Sequence, residues 1–282
     1  MRGSERLTAL ALLLLSAAAA VAREPEAATR LVALLVLLGA VLALARTRAR
    51  DGPLGLARDF APVAMVVAIF MLLQPIIAAL NPVRYDAVLA AADARWLAPL
   101  AAAWRGALGR PDWFTDLVYA AYVSYYLLPP AVLVTARAWR GPEVFEQVAF
   151  ATLLAFYLSY LGYFLWPASG PRVPRADEAL VLGGGAVAGA IRAFLRAAEA
   201  TTLDAFPSGH TALALVSAAL GTRHFPRWAP LLWVWAAAVV FATVYIQVHY
   251  VVDLVAGAAV GLVALALAPG LRHWLAGRAP GP

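Results

Sequence analysis

Long apolar runs separated by short polar stretches fill most of the chain. A hydrocarbon core about 30 Å thick needs roughly 17–25 apolar residues per helix. Eight runs qualify as candidate spans, at about 7–22, 30–45, 60–80, 114–136, 145–166, 208–222, 229–247 and 250–268. The sixth is short by itself, which puts its polar start at the membrane interface. No Ser/Gly-rich linker divides the chain, and no convincing internal repeat is found. The pattern predicts an all-α, polytopic membrane helical bundle.

The first run has two readings. Arg2 and Arg6 precede it and it ends in Ala20-Val21-Ala22, which resembles a signal peptide with a small-residue cleavage site. The charge pattern works with eight helices, which favours an uncleaved first span. Cleavage after Ala22 would leave the orientation of everything downstream unchanged. The loop 177–200 stays open between a flexible lid and an interfacial helix following the Gly-Gly-Gly at 183–185.

Orientation follows from the arginines. With the N-terminus inside, the inner loops hold twelve Arg and five acids, and the outer loops hold ten of each. Both termini are therefore expected to be cytoplasmic. The long loop 167–206 and the short turn at 247–250 then share the outer side, periplasmic or extracellular.

Composition agrees with the pattern. The chain of 282 residues is 63% hydrophobic and 13% charged, with a mean hydropathy of +0.78. A soluble domain is about 45–50% apolar and about 25% charged. There is no cysteine, so there is no disulfide framework, thiolate metal site or cysteine nucleophile. All 22 cations are Arg, so any phosphate clamp must use guanidinium groups, which grip oxyanions in bidentate fashion. The pI near 10 would suit a nucleic acid. The arginines are spread over short loops between apolar runs, however, and no nucleic-acid partner is expected.

Four histidines bear on chemistry. His224 and His273 lie in Arg-rich inner loops and read as solvated or headgroup-contacting residues. His210 and His249 each sit at the outer mouth of a predicted helix. In Phe206-Pro207-Ser208-Gly209-His210, proline suits a helix start, Ser208 can cap, and Gly209 permits close approach of a ligand. The free N–H groups and positive dipole end of that helix suit a phosphate. An ordinary capped helix with an interfacial histidine is the competing reading.

His249 and Asp253 are four apart, on one helix face. An ionisable residue inside a span is costly and functional by default. A carboxylate on one imidazole nitrogen fixes the tautomer and frees the other nitrogen to attack or bind. A buried pair that only joins helices is the alternative. Gly257 and Gly261 below it form a GxxxG face that permits close helix packing. In Gly170-Pro171-Arg172, the turn residues put Arg172 at the membrane mouth. Tyr119, Tyr122 and Tyr126 recur at helical spacing, as packed aromatics or as headgroup contacts.

Pro207-Ser208-Gly209-His210, followed about forty residues later by His249 and Asp253, resembles the type 2 phosphatidic acid phosphatase superfamily. The resemblance covers roughly residues 113–268, with 60–80 as an extension. It implies a six-helix phosphatase-type core, residues 60–282, behind about two N-terminal membrane helices in residues 1–59. It implies His249 as nucleophile through a phosphohistidine, Asp253 as its orienter and His210 as general acid. Ser208 and Gly209 would hold phosphate oxygens. No metal or cofactor is expected, and the sequence offers no obvious carboxylate cluster for one. Ala242 and Thr243 stand where the family pattern often has Ser-Arg, and the Lys…Arg-Pro motif is unmatched. Arg172, and more weakly Arg175, are the candidate replacements. In these respects the chain resembles the branch containing the fungal inositol phosphorylceramide synthases.

The expected partner is a membrane lipid, and the oligomeric state is not specified. The expected function is phosphoryl transfer from a lipid phosphate or phosphodiester, to water or to a lipid alcohol. A non-enzymatic lipid-binding or transport protein using the same cavity is the main alternative. A haem protein with His210 and His249 as axial ligands would leave the Ser-Gly cradle unexplained.

Overall fold

A computed structural model describes residues 1–45, 52–96, 103, 106–107, 111–171, 183–198 and 202–277. Among these residues, all regular structure is helical. The helices in chain order are α1 (Gly3–Val21), α2 (Pro25–Ala45), α3 (Pro53–Phe70), α4 (Leu73–Leu80), α5 (Asp86–Trp96), α6 (Asp112–Val123), α7 (Leu128–Arg140), α8 (Pro142–Leu165), α9 (Ala186–Ala198), α10 (Gly209–His224), α11 (Ala229–Tyr245) and α12 (Val251–Ala276). Six spans, α1, α2, α3, α8, α12 and α11 together with the 3-10 turn Pro226–Trp228 before it, are long and apolar enough to cross a membrane. The pair formed by α6 with its 3-10 turn Ser124–Tyr126 and α7 makes a seventh if taken as one span bent by 44°.

Two predicted spans differ in detail. The run 60–80 is the end of α3 followed by a break and the short α4. The sixth run becomes α10, with 16 residues. α10 packs against α7, α8, α11 and α12 at the centre of the bundle. A helix enclosed by its neighbours need not match the hydrocarbon thickness itself.

Two apolar cores share α8. One joins α7, α8, α10, α11 and α12 around Leu133, Phe145, Phe150, Leu213 and Val216. The other joins α1 to α4 with α8 around Leu12, Leu31, Ile69 and Tyr160. The part of the loop after Gly183-Gly184-Gly185 forms a helix, α9. Its Ala188 and Leu195 are buried against Val118, Tyr119 and Tyr245.

The end where α1 begins and α12 finishes is held by a buried ion network. Asp59 receives the Arg2 guanidinium on one oxygen and Arg137 Nε on the other, the latter at 2.5 Å. Glu5 receives Arg58 Nε at 2.6 Å. The Glu146 carboxylate accepts from the Ser4 backbone N–H at 2.9 Å and the Ser4 hydroxyl at 2.6 Å. Glu5, Asp59 and Glu146 are all buried. Their charges are therefore answered by α1, α3, α7 and α8 together, and α1 is tied into the bundle.

Removing one partner from a buried ion pair leaves an uncompensated charge, at a cost of about 3–5 kcal/mol. Asp59→Ala is expected to destabilise the protein by that amount through stranding of Arg2 and Arg137. Denaturant titration in detergent measures it. A change below about 1 kcal/mol would show that the network is solvated.

Candidate active site

The site is built where the start of α10 meets the start of α12. Ser208 caps α10, its hydroxyl oxygen accepting from the Thr211 N–H at 3.2 Å and the Thr211 hydroxyl at 3.1 Å. The Ser208 N–H donates to the Asp253 carbonyl at 3.0 Å, which joins the two helices through backbone. Gly257 makes this possible: a Cβ there would stand 2.3 Å from the Ser208 carbonyl oxygen. Gly261 continues the contact, 3.1 Å from the Ala212 carbonyl by the same measure. Gly209 lies under Tyr163, whose phenol oxygen would be 2.5 Å from any Cβ.

A tight turn after α11 brings His249 back over this junction. The Val248 and His249 N–H groups both donate to the Thr243 carbonyl, at 3.0 and 3.3 Å. His249 is buried, and its Nδ1 has two acceptors. The Ala205 carbonyl is at 2.8 Å and Asp253 Oδ2 at 3.4 Å. Both favour a proton on Nδ1, so Nε2 carries a free lone pair. The nearer of the two is a backbone carbonyl, which nothing in the side-chain pattern marks. Asp253 is fully buried. Its Oδ2 accepts from the Tyr250 N–H at 2.8 Å, capping its own helix, and Oδ1 has no hydrogen-bond partner.

His249 Nε2 lies 3.2 Å from His210 Nδ1. With a lone pair on the former, the latter donates. His210 is half-buried, the more exposed of the two rings. Tyr122 stacks on its ring at 4.9 Å between centroids, and Tyr125 leans on it at 4.4 Å.

A family model described as the PAP2 superfamily matches residues 87–267, well over half of the chain. The chain belongs to the PAP2 superfamily. With its membrane-span helices, it is a multi-pass membrane phosphatase-type enzyme acting on a lipid-type substrate. No curated protein and no solved structure matches it significantly. The match to the PAP2 superfamily contains His210, His249, Asp253 and the whole junction around them, and begins one residue into α5.

Tyr119, Tyr122 and Tyr126 do not share one face. The helix breaks at Ser124, and the 3-10 turn Ser124–Tyr126 changes the direction of the chain beyond it. Tyr119 and Tyr122 are buried on the site side, whereas Tyr126 is 45% exposed and meets Phe194 of α9. Tyr125 takes the place expected for Tyr126. Ser124 holds the break by accepting from the Trp235 indole N–H at 2.7 Å while donating to the Ala121 carbonyl at 2.6 Å. Arg172 and Arg175 lie outside the described residues. Ala242 and Thr243, where the family pattern often has Ser-Arg, are buried among apolar neighbours. Among the described residues no Arg hydrogen-bonds to either imidazole. The Arg192 guanidinium lies 5.3 Å over the Tyr119 ring and donates to the Gly183 carbonyl at 2.8 Å.

Sequence reasoning missed α5 and its acids. Asp86 accepts from the N–H groups of Ser169 and Gly170 at 2.9 Å each. Gly170 has φ +79°, and a Cβ there would stand 2.2 Å from the Val248 carbonyl oxygen. Two turns on, Asp93 accepts from the Val251 N–H at 2.7 Å and the Val252 N–H at 3.2 Å. These are the orphan donors of the first turn of α12. Leu89, between the two acids, is buried against Ala168, Ala205 and Tyr250. α5 is thus a strap that fixes the loop before the site and the helix after His249.

Asp93→Ala frees the N-terminus of α12 next to His249. A misplacement of about 1 Å can cost about a hundredfold in rate. We expect kcat to fall by one to two orders of magnitude with little change in KM. Asp93→Asn retains an acceptor oxygen and is expected to keep most of the activity. Steady-state kinetics on the three proteins checks this, and equal losses in both variants would contradict it.

Proposed function

We propose that the protein is an integral-membrane phosphoryl-transfer enzyme acting on a lipid phosphate or phosphodiester through a phosphohistidine on His249. One observation carries the reading. Two imidazoles face each other at 3.2 Å, with Nδ1 of the inner one committed to the Ala205 carbonyl. The inner ring is thereby a nucleophile and the outer ring a proton donor.

In the first step the His249 Nε2 lone pair attacks phosphorus. The N–P bond forms, the P–O bond to the leaving group breaks, and the imidazolium form of His210 gives its proton to the departing oxygen. In the second step water or a lipid alcohol gives its proton to His210 and its oxygen attacks phosphorus. The N–P bond breaks, and His249 returns to its neutral form. Asp253 Oδ2, 3.4 Å from Nδ1, stabilises the positive ring of the intermediate. Ser208, Gly209 and the positive end of α10 hold phosphate oxygens where charge develops. Arg172 and Arg175 are candidate cations from the outer loop. Tyr119 and Tyr122 line the headgroup approach, and exposed Tyr126 meets the headgroup from outside.

Reacting atoms must come to about 3–3.5 Å before attack. The leaving oxygen must also lie between phosphorus and His210. The two ring nitrogens therefore have to separate beyond their present 3.2 Å. His210, the more exposed ring, is the one that swings outward as the headgroup enters.

The acceptor decides the product. Water gives a lipid phosphatase. An alcohol gives a headgroup transferase, which the likeness to the inositol phosphorylceramide synthase branch supports. Among the described residues few cations stand near the histidines, which suits a phosphodiester because it carries less charge than a monoester. The Arg distribution supports cytoplasmic termini and a site on the outer face.

Purified protein with EDTA and a mixed pool of phospholipids and lipid phosphates tests the reading. Free phosphate and new lipids are followed together. His249→Ala is expected to lower turnover by more than about a thousandfold, and His210→Ala by about 10²–10⁴, with both variants still folded. Free phosphate marks a phosphatase, and new phospholipid without it marks a transferase. Wild-type turnover in His249→Ala would overturn the mechanism.

A further inference from the structure

The end of the bundle opposite His210 and His249 contains a cavity of about 460 Å³ between α8, α10 and α12. Its polar wall is Gln147, Arg223, His224, Arg272 and His273. Its other wall is apolar, with Leu220, Leu265 and Ala268. No carboxylate lines it. Glu143, the partner of Arg272 at 2.8 Å, reaches that guanidinium from outside the cavity and is itself 63% exposed. We propose that this cavity is a second ligand site that binds a phosphate oxyanion, with the apolar wall favouring the phosphate of an anionic phospholipid over the free ion.

Three features support a ligand. Arg223 makes no side-chain hydrogen bond or ion pair among the described residues, although it borders a cavity with another guanidinium and two imidazoles. His224 Nε2 is buried without a hydrogen-bond partner. An imidazole nitrogen left unpaired costs free energy unless something answers it, and a small turn of the ring toward the cavity would bring it to a phosphate oxygen. His224 is also held in place: its carbonyl accepts from Arg140 Nε at 3.1 Å and Nη2 at 2.7 Å. Finally, Arg272 Nη2 donates to His273 Nε2 at 3.0 Å. That bond fixes the forked group on the cavity wall.

An excess of Arg at one membrane side is general, and cations suit helix C-termini. Those rules account for the sign of these charges. They do not account for their convergence from two helices on one cavity with an unpaired imidazole nitrogen. A guanidinium pair with an apolar floor matches an amphiphile whose phosphate lies at the interface and whose chains lie deeper. The site is separate from the catalytic junction, so it acts as a lipid anchor or a lipid sensor for the enzyme.

Native mass spectrometry of the full chain in detergent tests this, with phosphatidylglycerol and inorganic phosphate titrated separately. The proteins compared are wild type, Arg223→Ala, His224→Gln and His249→Ala. We expect one saturable phosphatidylglycerol site, weakened at least tenfold in Arg223→Ala and several-fold in His224→Gln, and intact in His249→Ala. Saturable inorganic phosphate with the same dependence would support the oxyanion site and make the free ion its ligand. Overturning results are no saturable binding of either probe, or binding unchanged in Arg223→Ala. Loss in His249→Ala alone would also overturn it, by assigning the bound lipid to the catalytic site. Arg223 is exposed and unpaired, so its removal is expected to leave folding and basal turnover unchanged.

Discussion

The histidine site depends on how closely α12 can lie on α10. No side chain separates them at Gly257, where the Ser208 carbonyl occupies the space of a Cβ. That approach allows the Ser208 N–H to reach the Asp253 carbonyl. It brings residues 208–210 of one helix start under residues 249–253 of the other. The His210–His249 contact follows from this backbone arrangement. In a membrane, helix association rests on such packing because lipid chains are as apolar as the side chains they replace.

The same environment explains how carboxylates are used at the two ends. At the end that carries His210 and His249 they cap backbone. Asp86 and Asp93 hold the loop at 169–170 and the start of α12. Asp112 and Asp116 hold Gly184, Gly185 and Ala188 at the start of α9, at 2.8–2.9 Å. Each satisfies N–H groups that a helix start or turn leaves unpaired, and each stiffens the mouth without filling it. At the other end Glu5, Asp59 and Glu146 are paired with Arg or Ser from distant helices. Buried charge there is a device of assembly, and it makes α1 part of the bundle that carries the site.

Much of this was legible in the chain. Apolar runs of spanning length mark the bundle, because hydropathy needs no tertiary information. The Ser-Gly-His start and the His-xxx-Asp helix mark the catalytic candidates, because both spacings are local to one helix. The GxxxG face at Gly257 and Gly261 falls in the same class. What could not be read needed contacts between distant segments. Tyr125 replaces Tyr126 because a Trp235 bond to Ser124 helps hold a break that helical spacing cannot foresee. Asp86 and Asp93 look like ordinary loop acids until α5 folds over the mouth. Arg58, Asp59, Glu5 and Glu146 count as loop charges for topology, yet they pair inside the protein. The nearest partner of His249 Nδ1 is the backbone of Ala205, which has no side-chain signature.

The proposed mechanism requires His249 to form a covalent bond to phosphorus. The most direct measurement is a rapid quench of the purified enzyme with a lipid substrate carrying labelled phosphorus. Protein-bound label is then assayed after acid and after alkali treatment. The account predicts label on wild type that is lost in acid and kept in alkali, as for a phosphoramidate, and none on His249→Ala. It also predicts accumulation in His210→Ala when the leaving group is good enough to depart without a proton. Turnover by wild type with no protein-bound label at any quench time, or equal label on His249→Ala, would contradict it.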